Sequence, residues 1–355
     1  MPGKIIGCIN KSGMIRSNIY NSALSCITSY VNFKDKRILV TGATGLIGSC
    51  IIDLLLFVNK KEERNNHIYA LGRNAQKIKN RFEEFSSDKC FHLIEQDICQ
   101  KISNDVEFDY IIHGASNADP IAYAKYPVET MQTTLLGAIN ILEYGRLHRD
   151  CKIVMLSTFE VYGNANHDIY NEQDIGIIDF NVLRASYPES KRSMEILSRC
   201  YVDEYGVHVN IARLCSVYGP TMLATDSKAH AQFIRKALHK EDIVLKSKGE
   251  QRRSYCHVID AVSGIFTILM RGEKGGCYNV CDDKSIISIA GVAHAIAHIV
   301  GVSVVFAQPS ALEAKGYSKP QDIILDNSKL RSLGWCPMFS LHEGLKMTLK
   351  VLEEQ

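Results

Sequence analysis

The sequence predicts an α/β fold: a doubly wound parallel sheet with helices on both faces, followed by a smaller mixed lobe. Three observations predict it. Short runs of β-branched and aromatic residues alternate with helical stretches from Lys36 to Pro220. The first run leads into a glycine-rich turn, Gly42-Ala43-Thr44-Gly45-Leu46-Ile47-Gly48, which opens a helix. A hydrophobic fraction of 46% and a charged fraction of 23% over 355 residues suit an ordinary globular chain of one or two domains.

The elements follow in order. Residues 1–36 form an N-terminal extension rich in Ser and Asn. Its apolar residues from Ile15 to Val31 are spaced for a helix packed on the outside of the domain, with a dimer contact as the other reading. Residues 37–41 (RILVT) read as a buried parallel strand, because the run is apolar and ends at Gly. A helix over 49–59 is followed by strands at 67–71 (HIYAL), 91–98 (FHLIEQDI) and 108–115 (FDYIIHGA). A long helix over 127–148 carries Met131, Leu135, Ile139 and Leu142 on one stripe. Strands at 152–157 (KIVMLS) and 207–214 (VHVNIARL) flank a helix at 187–205.

Beyond Pro220 the rhythm loosens. Helices are expected at 227–238, 259–270, 288–299, 327–333 and 341–352, and strands at 243–246, 277–280 and 302–306. The expected division is therefore a dinucleotide-binding domain over 37–220 and a mainly substrate-binding lobe over 221–355, some of whose segments return to the first domain. The irregular segments 164–186 and 221–226 are functional candidates, since long loops in a compact chain often carry function.

Charge and cysteine usage exclude several classes. Lys plus Arg number 41 and Asp plus Glu 39, a formal charge of +2, so no nucleic-acid partner is expected. Apolar stretches break well before ~18 residues, so no membrane span is expected. The 12 cysteines form no CxxC pair and no Cys/His cluster of zinc-like spacing, which predicts no metal site and reduced thiols in a cytoplasmic protein. The N-terminus lacks the basic-then-apolar pattern of a secretory signal.

Two constellations carry chemistry. In the glycine-rich turn, Gly42, Thr44, Gly45, Leu46, Ile47 and Gly48 can bring backbone amides and a helix N-terminus close to a pyrophosphate, which points to NAD or NADP. The second strand ends in Gly72-Arg73-Asn74 with no carboxylate for a ribose 2′-hydroxyl, so Arg73 leans the expectation towards the 2′-phosphate of NADP. Asp97, after the third strand, is placed to approach the adenine. The second constellation is Ser157-Thr158 at a strand end followed by Tyr187 and Lys191. Four residues apart on a helix, Tyr187 and Lys191 share a face, and an ammonium there stabilises a tyrosinate. With Thr158 holding the same oxygen, the set can take a proton from an alcohol while hydride leaves its carbon.

From Lys36 onwards the chain resembles the extended short-chain dehydrogenase/reductase superfamily, within its nucleotide-sugar epimerase/dehydratase family. Further segments carry the resemblance: His113-Gly114-Ala115-Ser116, Ser157-Thr158-Phe159-Glu160-Val161-Tyr162-Gly163, the run from Ala212 to Pro220, the run from Gly249 to Asp260, and Leu333-Gly334-Trp335. The resemblance implies a Rossmann-like sheet, with Ile98 and Ala115 joining Asp97 along the cofactor cleft. It implies a nucleotide-sugar substrate oxidised at C4 by Thr158, Tyr187 and Lys191, and a homodimer joined through helices after the fourth and fifth strands. Arg253 is expected on the sugar-nucleotide pyrophosphate, with Ser216 in the same substrate site. The chain also departs from the family. Dehydratases carry Asp-Glu after the strand-end Thr and hexuronate decarboxylases carry Ser-Glu, whereas this chain has Phe159-Glu160. Ser216 and Thr134 stand where Asn is common. With Glu160 present, decarboxylation or dehydration is the expected second step, with 4-epimerisation, an NADP-dependent carbonyl-sugar reductase and a catalytically silent regulator as alternatives.

Overall fold

The computed structural model describes residues 17–102, 106–165, 167–308 and 321–354. The expected helix start at Ile15 and residue 166 of the long loop lie outside these.

A seven-stranded sheet forms the centre. Its strands are β1 (Arg37–Thr41), β2 (His67–Gly72), β3 (Phe91–Glu95), β4 (Tyr110–His113), β5 (Lys152–Thr158), β7 (Val209–Leu214) and β11 (Cys277–Val280). They lie in the order β11-β7-β5-β4-β1-β2-β3, and every pairing is parallel. Strands of this kind are apolar throughout because both faces are covered. Alternate residues feed two cores: Ile38 and Val40 of β1 pack with α2 (Leu46–Glu62) and α8 (Val258–Arg271). Leu39 packs with α5 (Pro127–Leu147) and α6 (Ser186–Tyr205) on the other face.

The smaller lobe has its own core. There β8 (Ser216–Tyr218), β10 (Arg252–His257) and β12 (Ile286–Ser288) form one sheet in the order β12-β10-β8. Parallel β9 (Ile243–Leu245) and β13 (Val304–Phe306) form another, packed with α7 (Ala229–Leu238), α9 (Ile289–Val300) and α11 (Leu341–Glu353). A short pair, β6 (Ile169–Tyr170) with β14 (Ile324–Leu325), and α10 (Ser328–Ser332) complete it. Because β11 joins the central sheet and α8 covers it, the chain returns to the first unit after entering the second.

Several expectations shift. The third strand ends at Glu95 rather than 98. Short helices α3 (Ala75–Arg81) and α4 (Pro120–Lys125), and strands β8 and β10, escaped the periodicity. On α5 the expected stripe splits: Met131 and Ile139 face outward, being 38% and 37% exposed, while Leu142 is fully buried. The core face is instead Thr130, Thr134, Gly137, Ala138 and Ile141. Small residues are needed there: a Cβ on Gly137 would lie 3.2 Å from His113 Cε1 and from Ile98. The N-terminal helix α1 (Asn18–Ser25) packs on α2 and α11 and buries Tyr20 and Leu24 completely. Tyr20 Oη donates to Asp53 Oδ2 (3.0 Å), and Asp53 is also bound by Arg81.

Candidate active site

The glycine-rich turn is built where β1, α2 and β4 converge. Gly42 has φ +69°, and a Cβ there would stand 2.8 Å from the carbonyl of Gly114. A side chain on Gly48 would overlap the Gly42 carbonyl, so this glycine sets the closeness of helix to turn. Gly45 begins α2 without a side-chain cap, which leaves the first-turn amides of a 17-residue helix for a ligand. Thr44, Gly45, Leu46 and Ile47 are half-buried along this turn, and the Leu46 carbonyl is held by Thr221 Oγ1 at 2.7 Å. These features fit a dinucleotide pyrophosphate.

Beneath the turn, Thr41 Oγ1 accepts from the amides of Gly114 and Ala115, each at 3.2 Å, and lies 2.9 Å from His113 Nδ1. An oxygen already accepting twice gives its own hydrogen to Nδ1, which puts the ring proton on Nε2. Burial, with Lys191 nearby, lowers the His113 pKa to about 3, so the ring is neutral. Ala115 is thus fixed at the cleft. Asp97 Oδ1 accepts from the Cys99 amide (2.9 Å), and Asn140 Nδ2 donates to the buried Ile98 at its carbonyl (2.7 Å). Arg73 is not free: its Nη1 is 2.7 Å from Glu129 Oε1 in the first turn of α5.

At the tip of β5 neighbouring residues part company. Thr158 accepts from the Glu160 amide (3.3 Å) and hydrogen-bonds Tyr187, whereas Ser157 points to the opposite face and donates to Glu195 Oε1 at 2.5 Å. Tyr187, Lys191 and Glu195 follow one another at four-residue spacing on one face of α6. Glu195 is clamped by Arg213, Nη2 to Oε2 at 2.6 Å, with both side chains buried. Lys191 Nζ donates to the Leu156 carbonyl at 2.7 Å. Burial lowers the Lys191 pKa to about 8 against the opposing pull of Glu195. Burial and then the Glu160 charge raise the pKa of Tyr187, and the Thr158 hydrogen bond lowers it. The Tyr187 ring stacks on Tyr123 of α4, centroids 5.1 Å apart.

A second polar cluster gathers around Phe159 and Glu160. Glu160 Oε2 is 3.0 Å from Arg184 Nη1, and Arg184 Nη2 reaches Tyr123 Oη at 3.4 Å. The Arg253 guanidinium stands 5.8 Å from the centre of the Phe159 ring and donates to the carbonyls of Arg252 and Gln321. Burial lowers its pKa. Ser216 lies on β8, in register with Tyr255. Thr134 is turned into the helix, its Oγ1 donating to the Thr130 carbonyl and lying 3.0 Å from Ser116 Oγ. Sequence reasoning overlooked Arg184, Tyr123 and Glu195. Glu195 was readable from its place one turn beyond Lys191, whereas Arg184 and Tyr123 sit in helical segments of three and six residues, too short to carry a periodicity.

Known proteins share this architecture. The chain is 31% identical over 312 residues to UDP-glucuronic acid decarboxylase 6 of Arabidopsis thaliana, covering 88% of this chain and 87% of that protein. It is 30% identical to UDP-glucuronic acid decarboxylase 1 of Xenopus tropicalis, covering 92% and 75%. Among solved structures, dTDP-glucose 4,6-dehydratase of Bacillus anthracis in complex with NAD superposes with TM-score 0.76 at 20% identity, covering 90% of this chain and 97% of that one. UDP-glucuronic acid 4-epimerase of Bacillus cereus with UDP-glucuronic acid and NAD gives 0.75 at 22%, covering 90% and 99%. At those identities the likeness is one of fold. The pattern of the NAD dependent epimerase/dehydratase family matches residues 38–281, and the chain belongs to that family.

Proposed function

We propose that this chain oxidises C4 of a nucleotide-activated hexuronic acid and then releases its C6 carboxyl as carbon dioxide. The observation that carries the reading is the carboxylate of Glu160, held by Arg184 at 3.0 Å, directly after an apolar Phe159. Phe159 cannot donate a proton, so a dehydratase would lack its acid for a leaving hydroxyl, whereas loss of carbon dioxide from a β-keto acid needs none. The relatives named as UDP-glucuronic acid decarboxylases support the same choice.

The turn from Gly42 to Gly48 would hold the pyrophosphate of NAD or NADP, with Asp97, Ile98, Ala115, Tyr187 and Lys191 along the cleft. When bound, the dinucleotide supplies an acceptor for the C4 hydride, later its donor, and a positive charge while oxidised. Tyr187 Oη takes the proton from the sugar O4, with Thr158 Oγ1 holding the same oxygen and the Lys191 ammonium stabilising the phenolate. In the resulting 4-keto acid the C5–C6 bond breaks, carbon dioxide leaves and the electron pair passes to the C4 carbonyl as an enolate. Glu160 and its neighbours then govern the proton that returns to C5. Ser216 and Arg253 complete the sugar-nucleotide side.

Two further readings belong here. The outward stripe of Val128, Met131 and Ile139 on α5, with Ile196 on α6, supports a homodimer in which a second copy covers it. The unpaired state of the 11 cysteines among the described residues supports the cytoplasm, and no helix among those residues is long and apolar enough to cross a membrane. The deciding experiment is mass spectrometry of products from UDP-, CDP-, GDP- and dTDP-linked hexuronic acids and hexoses. Loss of carbon dioxide from a hexuronate is expected. Loss of water, or an isomer of unchanged mass, would replace this reading with dehydration or epimerisation.

A further inference from the structure

The corner beside the end of β2 contains an arrangement that the sugar chemistry does not use. Arg73 follows Gly72, the last residue of the strand, where a carboxylate that reads a ribose 2′-hydroxyl would ordinarily stand. The neighbouring polar groups are already engaged. Asn74 caps α3 by accepting from the Lys77 amide at 2.8 Å, and Glu95 Oε1 accepts from the Ala75 amide at 3.1 Å. Arg81 is drawn inward onto the buried Asp53 and cannot serve a ligand in the cleft. Lys77 and Lys79 are exposed on α3.

What meets Arg73 instead comes from the first turn of α5. Glu129, 56 residues later in the chain, brings Oε1 to 2.7 Å from its Nη1, and both side chains stay about half exposed. The Asp97 charge also bears on Arg73. The corner therefore pairs one guanidinium with two carboxylates. A 2′-phosphate, carrying about −1.5 to −2 at neutral pH, would have to displace Glu129 and then lie beside it and Asp97. A 2′-hydroxyl can donate to a carboxylate without breaking anything.

We infer that Glu129, held by Arg73, is the residue that selects NAD over NADP: α5 supplies the carboxylate that β2 lacks. The inference rests on the reading of the Gly42–Gly48 turn as a dinucleotide site. It reverses the preference that Arg73 alone would impose, because a guanidinium already matched by a carboxylate offers a phosphate no net charge. The selection is electrostatic and partly exposed, so it weakens with added salt.

The test is fluorescence titration of NADH and NADPH into the full-length chain and into Glu129→Gln and Arg73→Gln, with circular dichroism to verify folding. Both residues are on the surface, so neither change threatens the core. Wild type is expected to bind NADH at least about tenfold more tightly than NADPH, the size of one charge–charge preference at a half-exposed site. Glu129→Gln keeps the shape, frees Arg73 and should tighten NADPH about tenfold or more, while Arg73→Gln should weaken NADPH further. The Glu129→Gln gain should shrink at high salt. A Glu129→Gln ratio equal to wild type, or a wild type that prefers NADPH, would overturn the inference with the dinucleotide site intact. Failure of wild type to bind either would overturn the site as well.

Discussion

Glu160→Gln should separate the two halves of the proposed reaction. The Glu160 side chain is 17% exposed, while its partner Arg184 is 46% exposed. Glutamine keeps the shape and can still accept from Arg184, so the cost to folding should be that of a partly exposed ion pair, about 0–1 kcal/mol. A lost acid–base group typically costs 10²–10⁴-fold in rate, about 2.7–5.4 kcal/mol. The catalytic loss should therefore far exceed the structural one. The proposed oxidation at C4 is assigned to Thr158, Tyr187 and Lys191, not to Glu160, and should persist. Its pH dependence should move, with a definite sign: the negative charge of Glu160 helps to raise the Tyr187 pKa, so removing it lets the phenolate form at lower pH. The assay is single-turnover absorbance at the reduced-nicotinamide band across pH, with carbon dioxide release measured in parallel. Reduced cofactor should accumulate, product should fall at least a hundredfold, and the oxidation profile should shift towards acid. Wild-type product yield in the variant would refute the role of Glu160 in decarboxylation or dehydration. An oxidation profile that stays put would refute the coupling to Tyr187.

Three further outcomes are expected. Tyr187→Phe keeps the stack on Tyr123 and should retain fold and cofactor binding while losing about 10²–10⁴ in steady-state rate; more than a tenth of wild-type activity would refute proton transfer by this residue. Glu195→Gln leaves the Arg213 charge buried without its partner, which should cost about 3–5 kcal/mol in urea unfolding, and adding Arg213→Met should restore part of it. Tyr20→Phe removes one donor from the fully buried Asp53 and should lower stability by about 1–3 kcal/mol with no change in cofactor affinity, as a helix that clamps the fold from outside requires.

Much of the fold was legible because it is locally encoded. The strand at 277–280 coincides with the structure, and the long helix at 127–148 differs by one residue. The strand expected over 91–98 stops at Glu95 because the Gln96 amide, bonded to the Gly72 carbonyl, is the last link before the chain turns at Asp97. Short α4 has only six residues and no room for a periodic pattern, and its boundary is set by Asp119, whose side chain caps it and also accepts from the Ser227 amide.

The sequence by itself determined the glycine-rich turn between β1 and α2, and the helix that sets Tyr187 and Lys191 on one face. Both depend on residues a few positions apart, where glycine sterics and the helical repeat act without help from the rest of the chain. Tertiary structure alone decided which partner each charge would take. Arg184 meets Glu160 across 24 residues, Arg213 meets Glu195 across 18, and Arg73 meets Glu129 across 56. It also decided that Thr158 and not Ser157 faces Tyr187, and that Met131 and Ile139 of α5 look outward while Leu142 and the helix's threonines and glycines look in. Strand alternation and helical periodicity define faces, but only the packing of one element against another assigns a face to the core, to the cleft or to solvent.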